Sequence, residues 1–120
     1  MTDKELLELA AKAAGIIGEW VQDKNLIQER WYFNVPYDHH NMLTGFEWNP
    51  LTDDGDALRL AVKLDMDIVF DFDRVMVVFG NEDASCITEY FYDLPKPNDR
   101  FDATRKAIVI AAAEIGKEIK

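Results

Sequence analysis

Cysteine and serine occur once each in this chain of 120 residues, as the neighbours Cys86 and Ser85. One cysteine excludes an internal disulfide framework and any zinc site built from several thiolates. One serine, with no Gly-x-Ser-x-Gly elbow around it, leaves serine hydrolysis without its nucleophile geometry. The 6 glycines form no Gly-x-Gly-x-x-Gly series, and no Gly-Lys-Ser or Gly-Lys-Thr follows any of them, so the common phosphate cradles are missing. Basic residues are outnumbered: 13 Lys and Arg against 23 Asp and Glu leave a formal charge of −10. A field of that sign repels phosphate backbones, and direct nucleic-acid binding is not expected. The longest apolar run, Ala107–Ala113, falls far short of the roughly 20 residues that span a bilayer, so no membrane association is expected. The acidic start Met1-Thr2-Asp3-Lys4-Glu5 lacks the basic region and apolar core of a secretory signal. The expectation is a cytoplasmic protein with Cys86 as a reduced thiol.

What is present is the composition of a folded domain: 48% hydrophobic, 12% aromatic and 30% charged. At this length one domain over residues 1–120 is expected. Thr2 three residues before Glu5 has the spacing of a capping box, Leu6, Leu9, Ala10, Ala13 and Ala14 make an apolar stripe, and Gly15 ends the first helix. Residues 19–22 and 30–35 are rich in aromatic and β-branched side chains and read as strands, the second limited by Pro36. The turn 49–56 leads into a helix over Ala57–Leu64, apolar nearly all round and therefore expected to be mostly buried. In residues 67–73, Ile68, Phe70 and Phe72 alternate with Asp67, Val69, Asp71 and Asp73, predicting a strand with one dry face. Strands over 74–79 and 86–92 follow, and Phe101, Thr104, Ile108, Ala111, Ala112, Ile115 and Ile119 mark a last helix from about Asn98 or Asp99. The short strand connections suit antiparallel neighbours. The predicted fold is α+β: an antiparallel sheet of about four to five strands with helices on both faces.

Chemistry-bearing clusters are sparse. His39 and His40 are adjacent, whereas metal ligation on a regular element favours a four-residue spacing that turns both rings the same way. Aligning Asp53-Asp54-Gly55-Asp56 with a calcium loop, Gly55 at its sixth position, puts Pro50 where a carboxylate is required. Helix capping explains those carboxylates, with a divalent ion shared with Asp67 or Asp71 as the remaining option. A carboxylate pair for acid–base work would have to come from Glu19, Glu47 and Asp71. No catalytic residue, metal site or cofactor is expected, and the protein is not expected to be an enzyme.

The stretch Trp48-Asn49-Pro50-Leu51-Thr52-Asp53-Asp54-Gly55-Asp56-Ala57-Leu58-Arg59-Leu60-Ala61-Val62-Lys63-Leu64 resembles the hallmark segment of the phage ABA-sandwich domain family. Residues 6–15, 103–108 and 111–116 agree with it. The resemblance implies an α/β/α sandwich encoded by a tailed phage or prophage, working in a bacterial cytoplasm. It brings no catalytic residues. Within the matching segments Trp48, Asp53, Asp56, Arg59 and Arg105 are the members with chemistry left over for a ligand, near the end of the sheet. An internal ion pair such as Asp56 with Arg59 is the competing explanation.

Three functions compete. A non-catalytic accessory protein that binds a host or phage protein, or forms a homodimer, predicts an exposed apolar patch. A small-ligand binder, for instance of a nucleotide-like signal, requires a pocket lined by rings with a convergent arginine. An acidic DNA mimic requires carboxylates spaced like phosphates, at which only Asp67, Asp71 and Asp73 hint.

Overall fold

The computed structural model describes residues 2–23, 30–37, 43–81, 84–91 and 99–119. Along them run α1 (Asp3–Ala14), β1 (Glu19–Asp23), β2 (Arg30–Tyr37), β3 (Leu43–Glu47), α2 (Asp54–Lys63), β4 (Asp67–Phe70), β5 (Arg74–Asn81), β6 (Ala84–Phe91) and α3 (Asp99–Lys117). The α+β class and the antiparallel pairing are as expected.

The single sheet of four to five strands is not. Among the described residues two three-stranded sheets form, β1-β2-β3 and β4-β5-β6. Consecutive strands pair with one another, and α2 separates the two meanders in the chain, so each run of three strands makes its own sheet. β3 has no strand signal in its sequence: Leu-Thr-Gly-Phe-Glu carries a glycine at its centre and little β-branching. Pro36 does not end the second strand. It lies inside β2, where the register against β3 shifts between Val35 and Tyr37, as a residue without an N–H to give would require.

The helix signals act locally as expected. The Thr2 hydroxyl accepts from the Glu5 N–H at 3.2 Å, and Gly15 closes α1 in the left-handed region at φ 68°. The packing converges on α3, which lies against α1, α2, β5 and β6. Its alanine-rich centre, Ala107, Val109, Ala111 and Ala112, is fully buried. Val75 and Val77 of β5 are also fully buried, so one face of the second sheet is dry. Among the described residues no helix is long and apolar enough to cross a membrane.

Two burial expectations fail, and they fail side by side. In α2 the stripe Ala57, Leu60 and Ala61 is buried, at the three- and four-residue spacing of one helix face. Leu58 and Val62, one turn apart on the neighbouring stripe, are exposed. In β4 and its hairpin, Phe70 and Phe72 of the predicted dry face are exposed as well. The apolar surface here exceeds what the fold covers.

Candidate functional site

The turn before α2 is built from its own polar side chains. Asp53 caps the helix, its Oδ2 accepting from the Asp56 N–H at 2.8 Å. The Asp56 carboxylate, only 5% exposed, accepts from the Asn49 N–H at 3.0 Å and from Arg59 Nη2 at 2.8 Å. Arg59 Nη2 also lies 3.9 Å from Asp53. Asn49 Oδ1 in turn accepts from the Leu51 N–H at 3.0 Å. These groups satisfy one another around a polar hollow of about 360 Å³ lined by Glu47, Asn49, Thr52, Asp53, Asp56 and Arg59.

Of the five residues singled out in the sequence, Asp53, Asp56 and Arg59 therefore come together. Arg105 stands apart from them, reaching from α3 to donate from Nε to the Leu51 carbonyl at 2.9 Å and to pair with Asp54. Trp48 lies in the core, packed edge-on against Phe33 with ring centroids 5.7 Å apart. The geometry ties a loop to two helices. The expected Asp56–Arg59 ion pair is part of it.

A second opening lies between α2 and β4, over α3. Its volume is about 600 Å³, and its walls include Ala57 and Leu58 from α2, Ile68, Phe70 and Asp71 from β4 and its end, and Phe101, Thr104 and Ile108 from α3, with Arg100 and Arg105 also on the α3 side. Leu58, Phe70 and Phe101 are 60%, 66% and 63% exposed. Of the five residues singled out for a ligand only Arg105 lines this groove. Asp54 and Asp71 enter the sequence reading of sites as carboxylates for a divalent ion or an acid–base pair, and the apolar lining does not enter it at all. The signal was present as surplus: α2 carries more apolar positions than one buried stripe can use, and the start of α3 places a phenylalanine in its first turn.

Two further ion pairs, at β5 and on α3, are fixed locally. Asp73 makes a two-pronged contact with Arg74, at 2.9 and 3.0 Å, which holds its carboxyl below the usual range. Asp102 at 3.1 Å, then the Tyr90 side chain, push Lys106 above the usual lysine value.

The remaining chemistry does not converge. Glu19 and Glu47 flank Asn34 in the first sheet, while Asp71 lines the groove at the other. Ser85 and Cys86 pair in register with Gly80 and Phe79, and their side chains lie outside those described. His39 and His40 also lie outside the described residues. Among the described residues no three His, Cys, Asp or Glu side chains gather closely enough to hold a metal ion. No protein-family model, curated protein sequence or solved structure matches this chain.

Proposed function

We propose that this is a non-catalytic accessory protein of a tailed phage or prophage, acting in the bacterial cytoplasm by binding a host or phage protein in the groove between α2, β4 and α3. One observation carries the reading: Leu58, Phe70 and Phe101, all at positions patterned for a core, stand exposed around one opening. Scattered apolar residues are normal on a surface, but apolar side chains gathered around one cleft mark an interaction site. The chain's charge of −10, with Asp54 on the groove wall and Asp71 at its rim, favours a partner that brings basic as well as apolar groups. The phage setting is supported by the resemblance of residues 48–64.

A small-ligand reading has its own support, because the volume of about 600 Å³ is that of an ordinary ligand pocket. Against it, the Arg105 guanidinium is already committed to Asp54 and Leu51.

The test is affinity capture from infected cells with the wild-type chain, with the double variant Leu58→Glu, Phe101→Glu, and with Lys117→Glu as a surface control, melting curves confirming that all three fold. A protein retained by the wild type and the control but lost from the double variant supports the reading. Equal retention by all three overturns it. A retained small mass in native mass spectrometry would favour the ligand alternative.

A further inference from the structure

We infer that β4 takes an extended segment of the partner as an added strand, one that alternates apolar side chains toward the groove with Lys or Arg on the opposite face. This rests on the groove being the binding site and specifies how it is used.

Among the described residues β4 ends its sheet, with a ladder to β5 on one side only. The Asp71 N–H donates to the Arg74 carbonyl at 2.8 Å. In an antiparallel pair, hydrogen-bonded and non-hydrogen-bonded positions alternate. Counting back through the register Phe70↔Val75, Val69↔Met76, Ile68↔Val77 and Asp67↔Val78, the main-chain groups of Val69 and Asp67 point into the sheet. Those of Ile68 and Phe70 point away from β5, to the open edge.

Ile68 and Phe70 are also the β4 residues that line the groove. Their ladder partners Val77 and Val75 are fully buried, which places this face of the sheet toward α3. A strand added at the usual spacing of about 4.8 Å would run beside β4 at the mouth of the groove. Every second side chain would enter it toward Leu58 and Phe101. Main-chain bonds then supply affinity and the groove supplies specificity.

Charge selects the occupant. Alternation puts Asp67 on the other face of β4, and Asp71 follows just past the strand's end at the rim of the groove; both are exposed. Pairing with a second copy about Val69, the register that uses the outward groups of both Ile68 and Phe70, sets Asp67 against Asp71 of the other copy, twice. Like charges directly opposite disfavour that pair. A partner strand with Lys or Arg at those positions turns the repulsion into attraction.

The experiment is hydrogen exchange of the full chain, read amide by amide. The chain is titrated with an alternating Lys/Val-Phe peptide, its alternating Glu counterpart, and a Lys/Leu peptide patterned as an amphipathic helix. The Lys strand peptide should slow exchange at Ile68 and Phe70 by roughly tenfold or more, and leave Val69, already bonded to β5, little changed. The double variant Asp67→Lys, Asp71→Lys should bind it about five- to tenfold more weakly. Shifts at Leu58 and Phe101 without protection of Ile68 and Phe70, or preference for the helical peptide, would overturn the added strand and leave the groove reading standing. No perturbation of the groove by any peptide would count against both. Protection that grows with protein concentration alone would make a second copy the occupant and overturn the inference.

Discussion

Arg105 Nε donates to the main-chain oxygen of Leu51 at 2.9 Å, and the same guanidinium pairs with Asp54 at the start of α2. One side chain of α3 thus holds both the turn before α2 and the helix's first residue, and with them the wall that carries Leu58. Arg105→Ala removes a mostly buried stem and leaves the Leu51 carbonyl without this donor. The expected loss is about 2 kcal/mol, measured by urea denaturation. Arg105→Lys should recover only part of it, because an ammonium cannot span both acceptors as the planar fork does. A loss below about 0.5 kcal/mol for Arg105→Ala would mean that packing alone holds α2 in place.

Asp56 and Arg59 form one ion pair, but the two partners are not equivalent. Asp56 is buried and accepts from the Asn49 N–H, whereas the Arg59 side chain is 72% exposed. Asp56→Ala should therefore cost about 2 kcal/mol, and Arg59→Ala about 0.5 kcal/mol or less. Thermal melts of both variants check the order. Equal losses would show that the guanidinium, not the turn, is the stabilised element.

Leu58→Ser and Phe101→Ser should leave stability within about 0.5 kcal/mol of the wild type, since neither side chain is buried. Partner binding should fall with either. A core role for these residues would show instead as a loss of unfolding free energy of about 2–5 kcal/mol, the order typical of large-to-small core changes.

Much of the fold was legible because its signals are local. Thr2 and Gly15 delimit α1 through side-chain and φ preferences that need no tertiary contact, and β5 reads as a strand from its run of valines. What was not legible depends on who covers whom. Leu58, Phe70 and Phe101 carry the same periodicity as buried residues, and periodicity reports which face is apolar, not whether anything sits on it. The polar residues singled out for a site mislead in the opposite direction. Asp53, Asp56 and Arg59 have ligand chemistry, yet the turn uses them on itself. Nor does strand order separate one sheet from two, since that is settled by where α2 sends the chain.

Stability should also depend on alkaline pH through Lys106. Its folded-state pKa is raised, first by the hydrogen bond to Asp102 and then by the charge of the same carboxylate. A raised lysine contributes stability that is complete below its ordinary value and lost as pH rises through the folded value. The difference in melting temperature between wild type and Lys106→Met should be constant from neutral pH to about pH 9 and shrink above about pH 10.4. A difference unchanged at high pH would show that the charge of Lys106, whether on Asp102 or over the Tyr90 ring, contributes nothing to stability.

The α1–α3 contact makes the sharpest demand on a single position. Gly116 is buried, and a Cβ built there would overlap the carbonyl oxygen of Leu9, a main-chain atom that cannot swing aside as a side chain could. In an exposed helix Gly→Ala stabilises by roughly 0.8–1 kcal/mol. Here relief of the overlap requires α3 to move away from α1, loosening the packing of Ala10, Ala11 and Ala14 along the helix. Gly116→Ala should therefore destabilise by about 1–3 kcal/mol, in the direction opposite to helix propensity. Because α3 also floors the groove, the same variant should weaken binding of the Lys strand peptide while leaving Leu58 and Phe101 chemically intact. Chemical denaturation and peptide titration of this one variant separate the two effects. A stabilised Gly116→Ala would mean that the two helices slide past one another at no cost, and that the groove floor is not set by their contact.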